Sequence, residues 1–498
     1  MIPSTPITRR RFVRSAAAGT ALTVCPGCVS RGPRATAPLT FAVLGDTHYT
    51  APEFKAKEWL HRAGDEIRAQ HPEVVFVCHT GDVVEGGTYV NTEGGGKKFA
   101  LADYGQMTRE LTFARDDLSE SFGVPVFIAV GNHDKHDPGS KAFKEIMLAR
   151  MAQQLGRPVT ETYYAFRSGN ACFLFLDFAP TDLRAQAAFA EETLQAARAD
   201  GVTHLFAFAH FPLWVLARSG FYNPAFSESV LPLMKKYRVD AFFCGHTHNA
   251  TACVRMIDGQ PVTQIQNIST GGGSRLIPLE QVRSLLFPAD ESPYHWGFLE
   301  GLPMSYSIVR VEADSVRVQW HVLGQGAVRE YGWREPGSLA DIKQAEPPPR
   351  TIVSDSQLRQ VTKAEIIFCP WAEQRTPITL TLNGEPVAQT QIGPAYNMFW
   401  DEQRLAIGPD QLACLRLNNR VEIGNPARAV FGLAHLRLEV RLADGTTAAT
   451  PVCGDFAFSC RLPQSGKRVR AWTAAPRSRI READLGHTLP PMEVRFNP

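Results

Sequence analysis

Short apolar runs that end abruptly in polar motifs, most of them led by glycine, constrain this chain more than any other feature. Leu39–Leu44 leads into Gly45-Asp46-Thr47-His48, Val74–Cys78 into Gly81-Asp82, and Val124–Val130 into Gly131-Asn132-His133-Asp134. His204–Ala209 stops at His210, and Val239–Cys244 leads into Gly245-His246-Thr247-His248. Runs so uniformly rich in Phe, Val, Leu and Ile predict strands buried on both faces. Helix-like stretches, Glu53–Gln70, Ala142–Leu155, Leu183–Arg198 and Ser227–Tyr237, separate several of them. Such alternation predicts an α/β class with a layered sheet. In open α/β sheets the carboxyl ends of the strands form the ligand crevice, so the five motifs are expected to meet in one place.

The residue types in those motifs point to a metal. Imidazole, carboxylate and amide oxygen donors suit a borderline ion, and no cysteine stands among them to favour a softer one such as Cu(I). A glycine before a ligand lets the chain leave a buried strand sharply and aim the next side chain into the crevice. One such motif alone would mean little, because an isolated Gly-Asp is usually a turn and an isolated strand histidine usually a packed core residue. Five of them at strand ends, in order, are not explained that way.

The ordered blocks Asp-x-His, Gly-Asp, Gly-Asn-His, a lone His and Gly-His-x-His resemble those of the calcineurin-like metallophosphoesterases, over roughly residues 38–325. The resemblance implies a four-layer α/β-β/α sandwich and a site for two metal ions, with Zn, Mn or Fe all fitting. It implies that Asp46, His48 and His248 hold the first ion, that Asn132, His210 and His246 hold the second, and that Asp82 bridges them. It also implies that His133 faces a phosphate-ester substrate while Asp134 orients its ring. Metal-bound water ionises near neutral pH and would supply the hydroxide nucleophile. Protonated His133 is the candidate donor to the leaving oxygen. The purple acid phosphatase branch carries a tyrosine three residues after its Gly-Asp aspartate and lacks the first-block histidine. Here Glu85 and His48 occupy those places, so the chain is closer to the Asp-x-His branch.

The remaining sequence frames this core. Residues 1–37 hold six arginines and no acid, with Arg9-Arg10-Arg11-Phe12 before a short, weakly apolar stretch. That pattern resembles a twin-arginine signal and implies the matching export machinery as a partner and a periplasmic or extracellular location. Cys25 and Cys28 lie in imperfect lipidation sites. Without those 37 residues the chain has 46 basic against 50 acidic residues, a net of −4, and no basic field to form a nucleic-acid platform. Gln344–Pro349, with three consecutive prolines, predicts a stiff linker at 344–350 between a phosphoesterase domain at 38–343 and a second domain at 351–498. Alternation in Ile378–Leu382 and Leu436–Leu442, with turns at Asn383-Gly384 and Asp444-Gly445, predicts an all-β sandwich there. That sandwich leaves a competing reading, a non-catalytic surface or glycan-binding protein with the phosphoesterase fold as scaffold. Among weaker features, Thr270–Ser274 reads as a plain glycine-rich loop, and the Lys467–Arg481 segment as a solvated basic face. Cys453 and Cys460 are candidates for a disulfide. Lys135, His136 and the aromatics Phe211, Trp214, Phe221 and Tyr222 are candidates for substrate contact or packing.

Overall fold

The computed structural model describes residues 38–49, 55–91, 97–215, 222–248, 250–267, 294–300, 305–323, 326–343, 353–372, 375–392, 403–427, 431–450, 455–459, 471–473, 480–481 and 492–496. The signal segment 1–37, the linker 344–350, Thr270–Ser274, Phe221, Cys453, Cys460 and most of the basic segment lie outside the described residues.

Two seven-stranded sheets carry the first part of the chain. The first runs in the order Ala340–Lys343, Gly326–Trp333, Val316–Val322, Ser305–Val311, Leu39–Leu44, Val74–His79, Val126–Ile128. The second runs Tyr294–Glu300, Ala250–Ile257, Gln260–Gln266, Ala241–Cys244, His204–Phe208, Ala171–Phe175, Tyr164–Ser168. Leu39–Leu44, Val74–His79 and Val126–Ile128 are mutually parallel neighbours. So are Ala171–Phe175, His204–Phe208, Ala241–Cys244 and Gln260–Gln266. Parallel strands point their carboxyl ends one way, which is what gathers the polar motifs.

Phenylalanine fills the space between the sheets. Phe41 of the first sheet meets Phe173 edge-on at 5.1 Å and Phe206 at 5.5 Å, and Phe76 meets Phe173 at 5.0 Å. Each such edge-to-face pair adds about 0.5–1.5 kcal/mol beyond the apolar area it buries. Helices cover the other faces. Leu60, Ala63 and Ile67 of Lys55–Gln70 and Leu111, Ala114 and Leu118 of Tyr104–Phe122 join the first sheet's core. Ala190 and Leu194 of Leu183–Ala199 and Val230 and Leu233 of Pro224–Lys236 pack with Leu174, Ala207 and Phe242 of the second. The central parallel strands are therefore buried on both faces, as their uniform apolar composition requires, whereas outer strands keep exposed positions such as Arg310 and Arg317.

Two differences from the expected elements bear on the site. Val124–Val130 is strand only over Val126–Ile128, although the Ala129 amide still donates to the His79 carbonyl of the neighbouring strand at 2.9 Å. The chain also contains an unforeseen 19-residue helix, Tyr104–Phe122, capped by the Asp103 side chain on the Gln106 amide and stopped by left-handed Gly123. It is preceded by a two-stranded hairpin, Gly87–Asn91 with Lys97–Leu101.

From residue 353 onward the described residues are β-rich. One sheet contains Gln403–Ile407, Val361–Ala372, Phe431–Leu442 and Asp455–Ser459, and another contains Glu385–Ile392, Thr376–Leu382, Asn418–Gly424 and Met492–Arg495. Ile366, Phe368 and Leu438 of the former and Ile378, Leu380 and Ile423 of the latter share one apolar cluster. Asn383-Gly384 and Asp444-Gly445 turn hairpins where the sequence places them, Asn383 at φ 54° and both glycines at positive φ.

Candidate metal centre

The strand ends deliver two groups of donors. In the first, His48 Nε2 lies 3.1 Å from His248 Nε2, which lies 3.4 Å from Asp46 Oδ1. In the second, Asp82, His210 and His246 bring their donor atoms within 4.8 Å of one another. There His210 Nε2 is 3.0 Å from Asp82 Oδ2 and 3.0 Å from Asn132 Oδ1. Asp82 Oδ2 also lies 3.7 Å from His48 Nε2, so one carboxylate oxygen faces both groups. Except for half-buried Asn132 and His246, all seven residues are buried.

Backbone geometry explains how so many side chains reach one point. Among the described residues, eight non-glycine residues adopt positive φ, and five of them are Asp46, His48, Asp82, His246 and His248, at 44° to 74°. Left-handed backbone at aspartate and histidine costs energy and persists only where its surroundings hold it, which is typical of ligand-binding loops. The glycines serve a different purpose from the expected one. Only Gly81 of the four has positive φ, at 98°. The others are needed for close approach: a Cβ on Gly131 would overlap the Asp82 amide, and one on Gly245 the Asp46 carboxylate.

The electrostatics are those of a site built for cations. Burial pushes Asp46 up to about 6, with His210 opposing and Asp82 adding. Burial also opposes the charge of Asp82, but the His210, His133 and His48 imidazoles outweigh it and hold that carboxyl well below its usual range. Burial works against the His210 cation, and the Asp82 carboxylate, with Asp46 adding, overrides it and lifts the ring to about 9. Two buried carboxylates whose main neighbours are imidazoles need added positive charge. The nitrogen pair His48–His248, 3.1 Å apart, sits where a shared ion would reconcile two lone pairs. His210 turns Nε2 inward because its Nδ1–H donates to the Thr80 carbonyl at 2.9 Å. The donor set of imidazole, carboxylate and amide oxygen fits Zn, Mn or Fe.

The structure places His133, half-buried, beside these groups: its ring centre lies 4.6 Å from that of His48, and its amide donates to Asp82 Oδ1 at 2.8 Å. Asp134 departs from its expected role. It accepts the Val83 and Val84 amides on Oδ1 and the Gly131 amide on Oδ2, at 2.8–3.1 Å. The His133 ring is held instead by the Glu85 carbonyl, which accepts from Nδ1 at 2.6 Å. A residue adjacent in sequence points elsewhere because the turn Asn132–Lys135 is helical, which separates the directions of neighbouring side chains. Burial, with the Asp82 charge adding, pushes Asp134 up to about 7.

Several other candidates resolve differently. Lys135 is committed to Asp177, 2.8 Å away, and to the Ala179 carbonyl. His136 stands 5.1 Å from His133, with Phe99 of the unforeseen hairpin 5.8 Å from His133. Trp214 is buried and donates to Cys253 Sγ, so it is core. Phe211 stacks on His246 at 3.9 Å, and on Phe178 at 4.0 Å from its other side, bracing a candidate ligand. Tyr222 is exposed. One neighbour that the strand-end motifs do not point to is Glu85, the partner of His48: its carboxylate accepts from His48 Nδ1 at 2.6 Å.

Residues 39–250 match the family model described as calcineurin-like phosphoesterase. Over those residues the chain is similar to the calcineurin-like metallophosphoesterase domain. It is a metal-dependent phosphoester hydrolase domain, and its centre takes two metal ions. No curated protein sequence matches the chain. Among solved structures, the chain is similar to a dimetal phosphatase from Danio rerio, at 13% identity and TM-score 0.41, covering 60% of this chain and 99% of that one. It is also similar to a purple acid phosphatase from yellow lupin seeds, at 15% identity and TM-score 0.42, covering 58% and 52%.

Proposed function

We propose that the protein is an exported hydrolase of phosphate esters, a phosphatase or phosphodiesterase of the Asp-x-His branch. The observation that carries the hydrolase reading is Asp82 Oδ2 set between the two donor groups, 3.0 Å from His210 and 3.7 Å from His48. In this reading Asp46, His48 and His248 hold one ion, Asn132, His210 and His246 hold the other, and Asp82 serves both. The bound ions supply charge for the phosphoryl oxygens and an acidified water.

The chain's own residues do the rest. The Glu85 carbonyl keeps a proton on His133 Nδ1, which leaves Nε2 to hold and release a second one. His133 is thus suited to donate to a departing alkoxide. Asp134 keeps the Gly131–Asp134 turn tied to the loop carrying Asp82, so that the two halves of the site stay in register. Export rests on Arg9-Arg10 before a short apolar stretch. We further read residues 38–343 as a four-layer domain and 351–498 as a β-sandwich. A scaffold that had lost catalysis would be free to lose ligands, and all seven stand in this chain. The test is hydrolysis of a panel of phosphate mono- and diesters by purified protein loaded with Zn or Mn. Activity lost to a chelator and restored by either ion is expected, and inertness of the loaded protein on every ester would overturn the reading.

A further inference from the structure

The two donor groups are not equivalent, and the difference is Glu85. Both His48 and His210 turn Nε2 toward the centre, and each does so because its other ring nitrogen is held from behind. His210 Nδ1 donates to a neutral carbonyl, Thr80 O, at 2.9 Å. His48 Nδ1 meets a carboxylate, Glu85 Oε2, at 2.6 Å, the short distance of a charge-assisted bond. Glu85 is itself buried, and its Oε1 has no hydrogen-bond partner. Its carboxylate therefore stands directly behind one candidate ligand, with His48 on Oε2.

Its position is rigidly made. The Glu85 amide donates to the Tyr49 carbonyl at 3.1 Å, and Tyr49 pairs with Val84 as an isolated bridge. Gly86 follows at φ 67°, where a Cβ would overlap the His133 carbonyl, so the segment lies directly against the His133 turn. The same residue also holds the His133 ring, but through its backbone carbonyl. Side-chain substitution therefore leaves that second bond in place.

We propose that Glu85 is a positioning residue that fixes His48 in its metal-binding tautomer and makes the Asp46–His48–His248 group the more strongly held of the two ion sites. A carboxylate behind an imidazole raises the basicity of the nitrogen that faces the metal and locks the ring, whereas a carbonyl only locks it. The inference rests on the two-ion reading of the centre.

The test is Zn²⁺ binding to the metal-stripped full chain, followed by equilibrium dialysis with elemental analysis. The wild type is expected to bind two ions, one more tightly. Glu85→Gln retains an oxygen to accept from His48 but removes the charge. Glu85→Ala removes both. We expect one of the two affinities to fall by about 10-fold in Glu85→Gln and up to about 100-fold in Glu85→Ala, the range for outer partners of ligating histidines. The second affinity and the melting temperature of the metal-free Glu85→Gln protein should stay at wild-type values. A Glu85→Gln protein with two wild-type affinities overturns the proposal and leaves the two-ion reading standing. An equal fall in both affinities, or recovery of wild-type binding by Gln alone, makes Glu85 a structural residue and overturns it as well. A wild type that binds no zinc overturns both.

Discussion

Asp134 supports the site through the backbone rather than through the neighbouring histidine, and this can be measured. Its carboxylate is buried and accepts three amides, those of Val83, Val84 and Gly131. Asp134→Ala strands three buried donors, and each costs about 1–3 kcal/mol when left unpaired. Allowing for relaxation around the cavity, we expect a loss of roughly 4 kcal/mol, a large share of the ~5–15 kcal/mol that holds a typical domain together. Asp134→Asn is the finer probe. Its one remaining oxygen can serve Val83 and Val84, while its amide would face the Gly131 N–H donor to donor. That substitution should cost about 2 kcal/mol, a fall of roughly 4–8 °C in melting temperature for a large domain. Thermal melts at pH 8 follow the stability. Parallel assays on an alkyl phosphate and a nitrophenyl phosphate follow the chemistry. The rate in Asp134→Asn should fall on both substrates, because the displaced turn carries the candidate ligand Asn132 as well as His133. An unchanged melting temperature, or a loss confined to the alkyl ester, would refute this account and return Asp134 to the His133 ring.

His133→Asn should lower kcat by about 10²–10⁴ on alkyl phosphates, the range for general acid catalysis, and much less on nitrophenyl phosphates whose leaving group needs no proton; elemental analysis should still find two ions. Far from the centre, burial, with His71 adding, lowers His321 to about 3, and its ring nitrogens have no partner. The folded-state value lies below the unfolded one, so this contribution is intact above about 6.5 and is lost as pH falls, at up to about 1.4 kcal/mol per unit. Urea unfolding of wild type and His321→Phe between pH 7 and 5 should show the acid limb flattened in the variant, and identical slopes would remove His321 as its cause. Replacing Arg9 and Arg10 by Lys should leave a folded, active enzyme in the cytoplasm, as fractionation with an activity assay would report; normal export would exclude the twin-arginine route.

The centre was legible because its chemistry is tied to the local geometry of strand ends. A buried strand announces itself by composition, its carboxyl end is a defined place in a parallel sheet, and the ligand types there repeat in order. What the sequence hid depends on contacts between distant segments. Leu111, Ala114 and Leu118 have helical spacing, but the buried face they define also carries Glu110 and Asp117, which blurs the apolar stripe. Their partners explain them: Gly86 donates to Glu110 from 24 residues away, and the Tyr49 hydroxyl to Asp117 from 68 residues away. The resemblance implies that Asp134 orients His133, whereas its oxygens answer amides 50 and 51 residues earlier as well as that of Gly131. The glycines show the same limit: their presence marked the ligand loops, but the reason at Gly131 and Gly245 is the approach of another loop. Glu85 is the instructive case. Judged by what it replaced, it was a missing tyrosine. Judged by what it touches, it is the carboxylate behind His48 and the carbonyl behind His133, so the loop after Asp82 contacts both a candidate metal ligand and the candidate proton donor. One short segment, Val83–Gly86, thus holds the rings of two site histidines that lie far apart in sequence.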